Sequence, residues 1–202
     1  FGHSDWSKIV SDVVSLGADG KKVGVISTIN GDANIGFYKE LAAAGVKADD
    51  IPVVAFSVGE EELSGLDTKN LVGHLAAWNY FQSAESDAND DFVKEWKEVM
   101  GESRVTNDPM EAHVIGFEMY VKAVEKAGTT DVDAVREAMY GIKVPNMTGG
   151  IAEMLPNHHL SKPVLIGEIQ SEKYSPDYGD VGDKLTKAVA DLYRSKDDES
   201  NS

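Results

Sequence analysis

A chain of 202 residues with 42% hydrophobic residues is long enough for one large domain or two small ones with a real core. Its formal net charge of -16 argues against nucleic acid as a partner, because a polyanion would be repelled, and the absence of cysteine excludes disulfides, thiol nucleophiles and cysteine-ligated metals. The chain has no run of about 18 uninterrupted apolar residues, the length that predicts a membrane span.

The first 81 residues predict strands that alternate with helices. A first helix is expected over residues 4–17, with Ser4 as its N-cap. The runs KKVGVIST, IPVVAFSV and LVGHLAAWNYF are short and apolar, which is typical of buried strands. Between them, helices are predicted from about Asn34 to Ala44 and, as a short turn, at EEEL. This alternation indicates an α/β fold with a doubly wound parallel sheet.

The pattern changes after Phe81. A polar connector, QSAESDAND, leads into three predicted helices, DDFVKEWKEVMG, DPMEAHVIGFEMYVKAVEKAG and VDAVREAMYG. In the second of these helices, Asp108 is the expected N-cap and Glu111 is expected to close a capping box. Residues 148–170 predict two strands joined by a polar loop, and the charged tail YRSKDDESNS is expected to be frayed.

The sequence carries no strong signal for catalysis, a metal or a cofactor. The turn STINGDAN, residues 27–34, could begin a helix, cradle a phosphate, carry a catalytic group or line a pocket. It lacks the glycine spacing of phosphate-binding loops, and Asp32 would repel a phosphate. The stretch GHSDW around Ser4 lacks the final glycine of a nucleophile elbow. Adjacent His158 and His159 would point to opposite faces of a strand, so we predict no metal site.

Polar or aromatic residues follow each of the first three predicted strands. In open α/β sheets, ligands bind in the crevice beyond the carboxyl ends of the strands, so these residues are expected to share one rim. Helix caps and core aromatics would explain the same residues about equally well on chemistry alone. The candidate ligand-binding residues are Thr28, Asn30, Asp32, Asn34, Ser57, Glu60, Trp78 and Tyr80.

Several long motifs carry a resemblance to a known family. They are STINGDAN followed by FYKEL, then IPVVAFSVGEEEL, VGHLAAWNYF, RVTNDPMEAHVIGFEMYVKAVEKAGTTD and TGGIAEMLPNHHLSKPVLIGEI. In this order they resemble the urea-binding solute receptors of bacterial urea ABC transporters, which belong to the branched-chain amino acid and amide binding group with the type I periplasmic binding fold. The resemblance runs from about Gly2 to Gln170, and the sequence departs from the family after that point.

The resemblance implies two doubly wound α/β lobes, joined by a three-stranded hinge, that close on a ligand. Residues 1–80 would form the core of the second lobe, residues 81–147 a helical part completing the first lobe, and residues 148–202 the return to the second lobe and a C-terminal tail. Most of the first lobe would be absent, and the start FGHSDW, without an initiator Met or signal-peptide pattern, agrees with a piece of a longer protein.

The resemblance also implies a non-catalytic receptor, without cofactor, that delivers urea to the membrane permease of an ABC transporter. It would be located in the periplasm or lipid-anchored to the outer face of the cytoplasmic membrane, and we expect the intact protein to be monomeric. Sensors or receptors for short amides or branched-chain amino acids are alternatives, as is a small amidohydrolase, for which no nucleophile–base pair is found.

The chemistry of the candidate residues agrees with urea. Urea has N–H donors on both nitrogens and one carbonyl acceptor. Asp32 and Glu60 can accept hydrogen bonds from the nitrogens, and backbone N–H groups at the start of the Asn34 helix can donate to the carbonyl. The acidic rim suits the ammonium end of an amino acid only, which favours urea or an amide.

Overall fold

The computed structural model describes residues 3–170. In this range the α-helices are α1 (Ser7–Gly17), α2 (Ala33–Ala43), α3 (Glu60–Leu63), α4 (Asp87–Met100), α5 (Asp108–Ala127) and α6 (Val132–Met139). The strands are β1 (Val25–Ser27), β2 (Val53–Ala55), β3 (Leu75–Trp78), β4 (Lys143–Pro145), β5 (Ile151–Met154), β6 (Leu160–Ser161) and β7 (Leu165–Glu168). None of these helices has the length and apolar character needed to cross a bilayer. The tail predicted to be frayed lies outside the described residues.

The larger sheet is α/β but mixed rather than wholly parallel. Its strand order is β1-β2-β3-β7, with β1, β2 and β3 parallel and β7 antiparallel to β3. The chain leaves the sheet after β3 and returns at the same end, where Asn79 Nδ2 donates to the carbonyl of Pro163 at 3.0 Å. A strand that re-enters at the end where its neighbour leaves must run in the opposite direction, so the prediction of a purely parallel sheet is wrong for β7.

We call residues 3–78 and 165–170 the sheet unit. Phe37 and Leu41 lie one turn apart on α2, and both are fully buried against the sheet, with Val53 of β2 at the centre of this core. Gly45 ends the helix with a positive φ of 71°, a backbone conformation that costs glycine little. Helix α1 begins at Ser7, where the Asp5 carboxylate accepts from the Ser7 backbone N–H at 3.3 Å, so the predicted cap at residue 4 is wrong.

We call residues 87–161 the helical unit. It contains α4, α5 and α6 and a second, antiparallel sheet of order β4-β5-β6. Ile115, Met119 and Ala123 lie on one face of α5 and pack, fully buried, in a core with Val144 and Ala152 from this sheet. The segment 148–170 therefore forms three strands rather than the predicted two, and β5 and β6 belong with the helices.

Two connections join the units. The first crossover, residues 79–86, runs from β3 to α4, and the second crossover, residues 162–164, runs from β6 to β7. The return to the sheet unit thus occurs at residues 162–164 rather than at residue 148. Both crossovers lie near the beginning of α5, as the contacts below show.

Candidate functional site

The turns that follow β1 and β2 lie side by side, as expected from the sequence. The two strands pair in parallel with Ser27 opposite Ala55, which brings the following residues to the same edge. Ser57 Oγ donates to Asn30 Oδ1 at 2.7 Å and ties the two turns together. We call residues 28–34 and 56–59 the rim.

Asn34 holds the rim from inside. Its side chain is fully buried, and Nδ2 donates to the carbonyls of Ile29 and Ser57, each at 3.0 Å. These bonds satisfy two backbone acceptors in neighbouring turns, one of them 23 positions along the chain. The expectation that this amide faces the cleft is therefore not met, because the side chain points into the protein.

Other rim side chains are open to solvent. Thr28, Asn30 and Asp32 are exposed, and Ser57 is partly exposed. Asp32 occupies the N-cap position of α2, but its carboxylate makes no capping hydrogen bond. A carboxylate at this end of a helix is stabilised by the helix dipole and remains able to accept hydrogen bonds from another molecule. The rim contains no lysine, arginine or histidine.

Glu60, the first residue of α3, is turned toward the first crossover. It is 9% exposed, and its Oε1 accepts from the backbone N–H of Ser83 at 3.0 Å and from the Ser83 hydroxyl at 2.8 Å. The carboxylate also borders an open groove of about 980 Å³ along the first crossover and α4. Glu60 therefore holds α3 to the first crossover, rather than standing beside Asp32 on the rim.

The two aromatic residues predicted to wall the cleft have different environments. Trp78 is partly buried and its ring packs on Gly59, where a Cβ would lie 3.5 Å from Cζ3. Tyr80 is 1% exposed; its hydroxyl bonds to Asn89 Oδ1 and to Thr106 Oγ1, each at 2.7 Å. Burial raises the pKa of the Tyr80 phenol well above its usual range. Tyr80 is therefore a core residue rather than a wall of the cleft. It lies two residues beyond the end of β3, and its hydroxyl finds buried partners in α4 and in the segment before α5.

The first crossover is anchored to the helical unit by a buried polar network. Asn89 Nδ2 donates to the carbonyls of Gln82 and Ala84, each at 2.7 Å. Gln82 Oε1 in turn accepts from the backbone N–H of Thr106 at 2.9 Å. Since these groups are paired with one another, the path of the crossover is fixed by its contacts with α4 and with the residues before α5.

The first turn of α5 also departs from the sequence prediction. Its N-cap is Asn107 rather than Asp108, since Asn107 Oδ1 accepts from the backbone N–H of Met110 at 3.0 Å. The other end of the same amide, Nδ2, donates to the carboxylate of Glu61 on α3. Asp108 accepts instead from the backbone N–H of Asn79 at 3.1 Å, on the first crossover.

Glu111 does not close the predicted capping box. Its side chain is fully buried and pairs with the ammonium group of Lys162, which is 7% exposed and belongs to the second crossover. Burial raises the pKa of the Glu111 carboxyl, and the Lys162 ammonium opposes that shift. The free energy of a buried ion pair depends on both partners being present.

The sequence reading missed Ser83, Asn107 and Lys162, which contact the acidic residues at the junction of the two units. A partial signal was available in the motif GEEEL, where three successive carboxylates cannot all face solvent on a helix that packs on a core. Glu60 and Glu61 reach the first crossover and α5, and Glu62 accepts from the backbone N–H of Gly59 at 2.9 Å. Three adjacent glutamates thus have three separate structural partners.

Within residues 3–170, no group of three or more histidine, aspartate or glutamate side chains is placed to hold a metal ion. His158 lies in the turn before β6, with a positive φ of 62°, rather than in a strand. Its Nε2 pairs with the Tyr140 hydroxyl at 2.8 Å.

Comparison with known proteins gives one family and a consistent set of solved structures. A family model described as a periplasmic binding protein domain matches residues 1–174. A solute-binding protein of an ABC transporter from Rhodopseudomonas palustris HaA2, in complex with p-hydroxybenzoic acid, is 21% identical with a TM-score of 0.71, over 84% of this chain and 46% of that chain. An amino acid ABC transporter substrate-binding protein from Pseudomonas fluorescens Pf-5 is 16% identical with a TM-score of 0.72, over 88% of this chain and 46% of that chain. These similarities establish the shared fold.

A match to a curated protein is shorter. Limonene hydroxylase from Geobacillus stearothermophilus is 30% identical over 103 residues, which is 51% of this chain and 19% of that protein. The present chain thus spans less than half the length of these relatives, 46% in the two solved structures and 19% in the curated protein.

Proposed function

The chain belongs to the periplasmic binding protein domain family, and from that premise we propose that it is part of an extracytoplasmic solute-binding protein of an ABC transporter. We propose urea, or a similarly small amide, as its ligand, and a membrane permease as the partner that receives it. The observation that carries the ligand proposal is the rim, where two strand-end turns are tied together and Asp32 remains exposed beside Thr28 and Asn30.

The rim's chemistry favours a ligand rich in N–H donors. A carboxylate and two polar side chains offer acceptors, and the rim has no basic side chain for the carboxylate of an amino acid or a benzoate. When a ligand is enclosed, each of its polar groups left unpaired costs about 1–3 kcal/mol, so a site with this set of acceptors selects against acidic ligands. Glu60 would add a further acceptor at the junction of the units when N–H groups of the ligand replace Ser83 as its hydrogen-bond donors.

The two units correspond, in this proposal, to the two lobes. The sheet unit would be the core of the second lobe and the helical unit would complete the first. The outer face of α5 supports this arrangement, because Phe117, Tyr120 and Val121 are 67%, 44% and 39% exposed there and offer an apolar surface to a further layer. The intact protein would act as a monomer in the periplasm or anchored to the outer face of the cytoplasmic membrane. The present chain alone would bind ligand poorly, since one wall of the cleft would be incomplete.

Calorimetric titration of the protein expressed from its complete gene tests the ligand. We expect saturable heat with urea, weaker binding of acetamide, and no binding of leucine or p-hydroxybenzoate. Saturable binding of leucine or p-hydroxybenzoate, with no heat from urea, would overturn the ligand assignment while leaving the family intact.

A catalytic role is tested with the same sample. Incubation with urea and acetamide should release no ammonia, because the described rim residues show no hydroxyl paired with a general base, and the Ser57 hydroxyl donates to the Asn30 amide oxygen instead. Sustained ammonia release in proportion to the protein concentration would contradict the proposal of a non-catalytic receptor.

A further inference from the structure

We propose that the first turn of α5 is the pivot that sets the angle between the sheet unit and the helical unit. Three of its side chains, Asn107, Asp108 and Glu111, each hold a different segment at the junction of the units. The proposal rests on the proposed function in one respect, which is that the units close on a ligand.

The three links reach every segment that joins the units in the described chain. Asn107 donates to Glu61 of α3, in the sheet unit. Asp108 accepts from the backbone of the first crossover at Asn79. Glu111 pairs with Lys162 of the second crossover. Because positions 107, 108 and 111 lie within one helical turn, all three links hold the same end of α5.

The environment of these links favours a fixed geometry over a loose one. Glu111 is fully buried and Lys162 is 7% exposed, so neither charge can exchange its partner for water without moving the crossover. The side-chain amide of Asn107 makes both contacts. Its oxygen caps the N-terminus of α5, and its nitrogen donates to Glu61 of α3. The start of the helix and the position of α3 are therefore coupled through a single side chain.

Helix α3 connects the pivot to the rim. It begins three residues after Ser57, whose carbonyl and hydroxyl are both bonded to rim residues. The first two residues of α3 contact the first crossover and α5. A ligand that draws the rim toward the helical unit must therefore move α3 and strain or relax the Glu61–Asn107 link. Asn107 is on this argument a positioning residue, which acts on the angle between the units without touching the ligand.

These 202 residues contain no cysteine, so two introduced cysteines make the angle measurable once any cysteine elsewhere in the complete protein is replaced by serine. Spin labels at Lys39→Cys on α2 and Glu137→Cys on α6, both exposed positions, report the distance between the units by pulsed electron paramagnetic resonance. The labelled protein expressed from its complete gene should give one narrow distance distribution without ligand. Calorimetry with urea on the same sample tests the proposed function independently of this distance.

Three variants distinguish the effect of the Asn107–Glu61 hydrogen bond from the effect of Asn107 as the N-cap of α5. Asn107→Asp keeps an oxygen for Met110 and places a carboxylate against Glu61, so we expect a shifted or broadened distribution with an unchanged circular dichroism spectrum. Glu61→Gln alone keeps an acceptor and should leave the distribution close to wild type. The double variant Glu61→Gln/Asn107→Asp reverses donor and acceptor across the same link and should restore the narrow distribution.

A matched control is Glu95→Ala, which removes one exposed carboxylate from α4 and should change nothing. An Asn107→Asp distribution identical to wild type would overturn the pivot. So would an Asn107→Asp shift that the double variant fails to reverse, since the effect would then come from the helix cap or from net charge. If the distances behave as expected but urea gives no heat, the pivot stands and the proposed ligand fails.

Discussion

Two polar turns of this chain each begin a helix and use the same residue types, yet they differ in what their side chains contact. In the rim, the turn before α2 leaves Asp32 exposed and without a capping bond. In the turn before α5, Asn107 and Asp108 are both bonded to segments of the other unit or a crossover. Asparagine and aspartate at a helix start can thus fix the fold or remain available to a ligand.

The difference teaches how to separate structural from functional polar residues. A side chain whose hydrogen bonds are all made inside the protein contributes to the free energy of unfolding, and its loss leaves buried partners unpaired. An exposed side chain without such bonds contributes little to folding and is free to contribute to binding. The predictions below run from the largest expected change in unfolding free energy to the smallest, and those for rim residues also measure ligand binding.

Lys162→Ala should give the largest loss of stability. It leaves the fully buried Glu111 carboxylate without its ammonium partner, and breaking a buried pair in this way typically costs about 3–5 kcal/mol. The measurement is unfolding in guanidinium chloride, chosen because urea is the proposed ligand. Lys8→Ala, which breaks the exposed pair with Asp12, is the control and should have little effect. Equal midpoints for the two variants would show that the buried pair does not hold the second crossover.

Asn34→Ala should weaken both folding and binding. The carbonyls of Ile29 and Ser57 would lose their donor inside the protein, at a cost of about 1–3 kcal/mol, and the two rim turns would separate. Unfolding in guanidinium chloride and calorimetry with urea measure the two effects. Asn30→Ala, at an exposed position, serves as the comparison and should cost less stability. A stable Asn34→Ala protein with normal affinity would show that the Asn34 side chain does not support the rim.

Stability should fall in mild acid because of His74. This imidazole is fully buried, its Nδ1 accepts from the Val53 backbone N–H at 3.1 Å, and burial lowers the pKa of His74. The unfolded chain takes up the proton near the usual value of 6.5, and the folded protein does so at a lower pH. The stabilising contribution is therefore complete above pH 6.5 and is lost as the pH falls through the folded pKa.

Melting temperatures between about pH 7.5 and 5 measure this loss. His74→Gln, whose carbonyl oxygen can still accept from Val53, should flatten the pH dependence. His113→Gln, at an exposed position, should leave it as in the wild type. A His74→Gln protein with the wild-type slope would assign the acid sensitivity to other groups.

Asp32→Ala should have the smallest effect on folding and a clear effect on binding. The exposed carboxylate makes no capping bond, so the free energy of unfolding should change by no more than about 0.5 kcal/mol. Affinity for urea should fall about tenfold or more, because a hydrogen bond to a charged group is worth about 1.5–3 kcal/mol. Asp32→Asn keeps an acceptor and should lose less. If stability falls while affinity survives, Asp32 only helps to begin α2.

The local features of the fold could be predicted from the sequence. Alternating apolar runs and turns predicted β1, β2, β3 and the helices between them, because each signal lies within a few residues of the element it forms. The placement of the rim followed from the same pattern, since parallel strands end at one edge. The structure confirms that the two turns are adjacent, through the bond between Ser57 and Asn30.

Features that depend on distant partners could not be predicted in the same way. Glu111 is compatible with a capping box in its local sequence, but it pairs with a lysine 51 positions away. Tyr80 is compatible with a cleft wall until Asn89 and Thr106 are seen to surround its hydroxyl. The direction of β7 depends on the end of the sheet at which the chain returns. The hydrophobic pattern of residues 165–168 carries no information about that end.

The pairing of β7 with β3 has a consequence for how the chain folds. Leu75 lies opposite Glu168 in that ladder, with the whole helical unit between them in sequence. The sheet unit therefore lacks its last strand until the helical unit has been synthesised and both crossovers are in place. Closing so long a loop carries an entropy cost before the ladder can form, and topologies of high contact order fold slowly. During that interval the edge of β3 is open, and its unpaired backbone groups can pair with another chain.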